Sequence, residues 1–119
     1  MRYYLFIYYI ISISYLKSDN TFKEEIRPFL SEYCLDCHDN DSKKGGLNFE
    51  DLKSNFKVNG TSSVWEKILE QVEIGMMPPE KKNQPTATQR TIVAEWIKDE
   101  LDRVGKGFSV RARLLLPEY

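Results

Sequence analysis

The sequence predicts an all-α domain of about three helices joined by long loops. Three observations carry that prediction. Apolar residues recur at helical spacing in separate stretches, each led by Ser or Thr with Glu or Gln three residues on: Thr21/Glu24, Ser63/Glu66 and Thr86/Gln89. Between them lie turn-forming segments such as Asp39-Asn40-Asp41-Ser42, Gly45-Gly46 and "MMPPEKKNQP". No stretch reads convincingly as a strand.

With 119 residues the chain has room for one domain. A net charge of -1 and a pI near 5.9 give no electrostatic case for nucleic acid, and none is expected as a partner. The hydrophobic fraction is 41%, but much of it sits in the first sixteen residues. What remains is a small, rather polar domain. Such domains often complete their core with a disulfide, a metal or a cofactor.

The N-terminus, "MRYYLFIYYIISISYLKSDN", sets one arginine before an apolar run from Tyr3 to Leu16. As a helix that run would span roughly 21 Å, short of the roughly 30 Å hydrocarbon core of a bilayer. With small residues at Ser12 and Ser14, it reads as a secretory signal peptide, residues 1–18. The second reading is a membrane tether through residues 3–16, because no A-x-A cleavage site follows. Either way the rest is expected to be exported, periplasmic or membrane-anchored facing the periplasm. The domain is expected over residues 20–105, with a C-terminal tail or linker remnant at 106–119.

Phe22, Ile26, Leu30 and Tyr33 share a helical face, but Pro28 lacks the N–H that would bond back to Glu24. A turn followed by a helix starting near Pro28 is expected, running into Cys34-Leu35-Asp36-Cys37-His38. Ser63/Glu66 opens a second helix burying Trp65, Ile68 or Leu69, and Val72, with Gly75 as its stop. Thr86/Gln89 opens a third, with Ile92, Val93, Trp96, Ile97, Leu101 and Val104 inward and Gly105 ending it.

The segment "CLDCH" holds both cysteines and the only histidine. On a helical turn, positions i, i+3 and i+4 share one face, so Cys34, Cys37 and His38 converge. Two thiols one turn apart suit thioether bonds to the two vinyl groups of a haem, and the adjacent imidazole suits its iron. A structural zinc needs four ligands, and no other Cys or His exists to complete that shell. A redox C-x-x-C belongs beside a strand and leaves His38 without a purpose. One covalent haem c is therefore the expected cofactor.

A six-coordinate haem needs a second axial ligand, usually Met or His. The only internal methionines are Met76 and Met77. Met77 precedes Pro78, which drives it out of helical conformation onto a loop beyond Gly75. Met77 is the favoured distal ligand and Met76 the alternative. Trp65 and Trp96 are read first as core residues, and Lys43-Lys44 and Lys81-Lys82 as solvated surface.

The pieces "FLSEYCLDCH", "KKGGLNFEDL", "VWEKILEQVEIGMMPP" and "IVAEWIKDELDR" occur in the order found in the planctomycete-type cytochrome c domain, which the chain resembles over residues 26–104. The resemblance implies a cytochrome c-like fold of about three helices with long loops wrapped around one covalent haem. It places the thioethers on Cys34 and Cys37, the proximal ligand on His38 and the distal ligand on Met77. It also implies a module of, or partner to, a larger oxidoreductase. The tail "FSVRARLLLPEY" is similar to the start of the segment leading onward in that family, departing from it at Leu115, Leu116 and Pro117.

Electron transfer to a redox partner protein or domain is thus the leading expectation. With both axial positions filled by protein, no site is left for substrate, and catalysis by this domain alone is not expected. The alternatives are a haem-based sensor or peroxidase-like domain with a labile distal ligand, and a non-haem interaction module held by a Cys34–Cys37 disulfide.

Overall fold

A computed structural model describes residues 2–58 and 60–105. Its elements are α1 (Arg2–Thr21), a π-helical turn (Phe22–Ile26), α2 (Arg27–Tyr33), α3 (Leu35–His38), a 3-10 turn (Lys44–Gly46), α4 (Thr61–Glu73) and α5 (Ala87–Arg103). No strand occurs among the described residues, so the all-α expectation holds. The expected tail at 106–119 lies outside the described residues.

The first helical region differs from expectation in an instructive way. Thr21 has helical angles and makes no side-chain cap, so the Thr21/Glu24 box does not form. The Glu24 carboxylate instead accepts from Asn20 Nδ2 at 3.2 Å. Helix continues through the π turn, where the Arg27 backbone N–H reaches five residues back to the Phe22 carbonyl. This shift puts Pro28 within the first turn of α2, where a missing N–H costs little. The proline changes register instead of breaking the helix.

No described helix is long and apolar enough to cross a membrane. Residues 3–11 of α1 are exposed, and the run from Tyr3 to Ile11 is entirely large and apolar. Its C-terminal end is tied to α5: Ser18 Oγ donates to Glu100, and Trp96 Nε1 donates to the Ser18 carbonyl at 3.3 Å.

The core joins the π turn, α2, α4 and α5 with Phe49, Leu52 and Phe56 from the long loop. At its centre, Phe56 stacks on Trp65 at 5.4 Å, and Trp96 meets Trp65 edge-on at 5.1 Å. Trp65 is fully buried, and its indole N–H donates to the Lys53 carbonyl at 3.0 Å. The tryptophans are core residues, each with its polar edge satisfied. Of the apolar face assigned to α5, Ile92 and Val104 are only half-buried.

α4 starts earlier than expected. Gly60, at φ 80°, is its N-cap, and Ser63 Oγ turns back to donate to the Gly60 carbonyl at 2.8 Å. At the other end Gly75 takes φ 74°, a left-handed conformation that glycine adopts without a Cβ clash, and the Met76 N–H closes back onto Gln71 O at 3.1 Å. The α5 box forms as expected, with Gln89 N–H donating to Thr86 Oγ1 at 3.1 Å and Thr86 N–H to Gln89 Oε1 at 2.9 Å.

Candidate haem site

The α2–α3 junction builds the thiol–imidazole cluster. Cys34 closes α2 through its N–H to Leu30 O at 3.0 Å, then leaves helical geometry at φ -121°. Its carbonyl accepts from both Cys37 N, at 3.2 Å, and His38 N, at 3.0 Å. The helix is interrupted at Cys34, yet these two bonds keep the one-turn relation that groups the three side chains.

His38 is held from the following loop. Lys43 (φ 40°), Gly45 (φ 65°) and Gly46 (φ 71°) are all left-handed and fold the chain back on itself. Leu47 O then comes within 3.4 Å of His38 Nδ1. A carbonyl can only accept, so Nδ1 is the donor in this contact, and Nε2 is the nitrogen left to face a metal. Phe49 stacks on the imidazole at 4.7 Å, and its N–H donates to His38 O at 2.7 Å. Two further bonds fold the start of this loop, from Asp41 N–H (3.1 Å) and Ser42 N–H (2.7 Å) to Asp39 Oδ1. The Ser42 backbone donor, above all, holds the Asp39 carboxyl below its ordinary range.

On the far side stands the loop after α4. Residues 76–79 are non-helical, as the Met-Pro pair predicts. Met77 N–H donates to Gln71 O at 3.3 Å, and the Met77–Pro78 peptide is cis.

These elements enclose a cavity of about 650 Å³, lined by Cys34, Cys37, His38 and Met77 together with the apolar side chains of Leu47, Phe49, Ile68 and Val72. That volume lies within the roughly 300–1,000 Å³ typical of cofactor sites. Met76 is not among the lining residues and is more exposed than Met77, 63% against 39%. Trp65 and Trp96 are absent from the lining as well. Lys44, Lys81 and Lys82, read from sequence as surface, stand around the opening, where Lys82 pairs with Asp36 at 3.2 Å.

The donor set suits a covalent haem. Both cysteines are free thiols. Burial pushes the Cys34 thiol up to about 12, which keeps it protonated and disfavours the thiolate that zinc or disulfide exchange needs. Among the described residues no group of three or more His, Cys, Asp or Glu side chains is arranged to hold a bare metal ion. One imidazole, two thiols and a thioether around one apolar cavity match a haem and not a zinc centre.

The segment bearing all four groups is also similar to a known family. Residues 34–81 match the planctomycete cytochrome C family. This is the family that the sequence resembles, and the match runs from the first thiol to just past the Met-Pro-Pro loop. The match supports haem-based electron transfer, at a coarse level, as the chemistry of this segment. α5 lies beyond the matched residues. No curated protein and no solved structure matches the chain.

Several site residues carry no local signal in the sequence. Arg27 donates to three loop carbonyls, of Phe49 (3.3 Å), Glu50 (3.0 Å) and Leu52 (2.9 Å), and so fixes the segment that backs His38. Arg90 and Gln84 hold the Met77 loop in a similar way. Leu47 and Phe49 lie in "KKGGLNFEDL", one of the pieces shared with the family, which was the one available hint.

Proposed function

We propose that the chain transfers electrons through one covalently attached haem c with His38 and Met77 as axial ligands. The observation that carries this reading is the single cavity lined by Cys34, Cys37, His38 and Met77. Cys34 and Cys37 would anchor the haem by two thioether bonds. His38 would bind through Nε2, oriented by Leu47 O and the Phe49 ring. Bound there, the haem supplies one-electron cycling between ferric and ferrous iron. The Met77 thioether raises the potential by favouring the ferrous state. Phe49, Ile68 and Val72, all buried, exclude water from the enclosed side. The opening, edged by lysines, is where a redox partner protein or domain would approach. The module is exported, with residues 1–18 removed as a signal peptide or kept as a tether, and serves a larger oxidoreductase. The exposed apolar surface of α1 supports that export.

The test is expression of the full chain with a haem-maturation system, followed by a pyridine haemochrome spectrum. One covalent haem per chain is expected, and its absence refutes the reading. Met77→Ala is expected to abolish the weak charge-transfer band of ferric His/Met haem, and Met76→Ala to leave it. The reverse result moves the ligand to Met76.

A further inference from the structure

The loop that carries Met77 has little means of holding itself. Pro78, Pro79 and Pro85 have no backbone N–H. The loop's backbone makes one bond of its own here, Lys82 N–H to Pro79 O at 2.9 Å, and the other carbonyls from Met77 onward draw on side-chain donors. Arg90, one turn into α5, leads them. Its Nη1 donates to Met77 O at 2.9 Å and to Val72 O, in the last turn of α4, at 3.1 Å. Its Nη2 donates to Gln84 Oε1 at 2.8 Å. Gln84 Nε2 passes the restraint on, donating to Pro79 O at 2.8 Å, Lys82 O at 3.1 Å and Pro78 O at 3.2 Å. A planar fork can meet three acceptors in fixed directions, which a lysine ammonium on a flexible stem cannot.

We infer that Arg90, acting with Gln84, is a positioning residue that holds Met77 at the sixth coordination position and keeps that position closed to external ligands. This rests on the His38/Met77 reading above. α5 itself is fixed for the task. The Thr86–Gln89 box locks its first turn, and Gln89 Oε1 also accepts from Tyr33 OH at 3.2 Å, one residue before Cys34. The two sides of the cavity thus share one mechanical reference. Arg90 touches neither the thiols nor His38 in this network, so haem attachment is independent of it.

The experiment uses the holoprotein of the 119-residue chain as wild type, Arg90→Met, Arg90→Lys, Gln84→Ala and Met77→Ala. Haemochrome content, the ferric charge-transfer band, carbon monoxide binding to the reduced protein, and global unfolding by far-UV circular dichroism are measured for each. Arg90→Met is expected to keep its haem. It should lose the band at a lower urea concentration than it unfolds, and bind carbon monoxide about tenfold more tightly, the order expected for one lost charge-assisted hydrogen bond. Gln84→Ala and Arg90→Lys should fall between it and wild type. A role confined to general stability would move band loss and global unfolding together, and that result overturns the proposal. So does an unchanged band and carbon monoxide affinity in Arg90→Met or, should that variant not fold, in Gln84→Ala. A band missing from wild type, or retained in Met77→Ala, overturns the distal-ligand reading itself, and the proposal with it.

Discussion

Replacing Arg27 by Met retains the aliphatic stem and removes three hydrogen bonds to the loop backing His38. It also removes a guanidinium lying 5.4 Å from the centre of the Phe22 ring. The Phe49 and Leu52 contacts are half-buried and the Glu50 contact is exposed, so water compensates in part. At about 0.5–1 kcal/mol for each bond and a similar amount for the cation–π contact, the loss is about 2–4 kcal/mol. Urea unfolding followed by far-UV circular dichroism reads this directly. With a slope of about 2 kcal/mol/M, the midpoint should fall by about 1–2 M while the slope stays constant. Arg27→Lys keeps a cation near Phe22 but cannot reach three carbonyls, so it should recover less than half of the loss. A midpoint for Arg27→Met within about 0.3 M of wild type would refute the reasoning. Full recovery in Arg27→Lys would refute the part assigned to the fork.

Three other substitutions probe separate links. Phe49→Ala removes a buried ring stacked on His38 and should cost about 3–5 kcal/mol in urea unfolding, with Phe49→Leu costing clearly less. Thr86→Ala should cost about 1 kcal/mol by losing its half of the capping box, whereas Thr86→Ser should be nearly neutral. Lys98, on α5, pairs with Glu73, at the end of α4, and with Glu95, and the Glu73 hydrogen bond holds its ammonium above the ordinary 10.5. A raised folded-state value means that its stabilisation is fully present below pH 10.5 and is lost as pH climbs through the folded-state value. Thermal midpoints should therefore show an alkaline fall in wild type that is reduced in Lys98→Met, itself less stable at neutral pH.

Local chemistry was legible, and long-range chemistry was not. Cys34, Cys37 and His38 lie within one turn, so their spacing alone implies convergence. The non-helical backbone at Met77 was legible because a proline restricts its immediate neighbour. The capping boxes show where such reasoning stops. A box requires its first residue to sit in extended geometry, as Thr86 does at ψ 160°. Thr21 lies inside a continuous helix, and Gly60 begins α4 ahead of Ser63, so the same pattern was inert at both places. Arg27 and Phe49 are 22 residues apart, and Arg90 and Met77 are 13 apart. A long polar side chain gives no periodic signal of which distant carbonyl it will meet. The core contribution of Phe49, Leu52 and Phe56 was missed for the same reason, because they stand in a loop without a helical period.

The two arginines answer one physical problem. A ligand that must reach across a cavity has to leave the helix surface, so it sits on, or is backed by, irregular backbone. Irregular backbone lacks a ladder of its own, and its carbonyls need other donors. Here left-handed residues at 43–46 turn the chain into one such segment, at 47–52, and prolines shape the other, at 78–79. Each is answered by a guanidinium rooted on a regular helix, Arg27 on α2 and Arg90 on α5. Rigidity at the candidate ligands is therefore borrowed from helices that do not themselves carry His38 or Met77. The family match ends at residue 81, yet Arg90 and Gln84 lie beyond it and reach back to Met77. The matched segment therefore holds the candidate ligands, and α5 together with the turn before it completes their support.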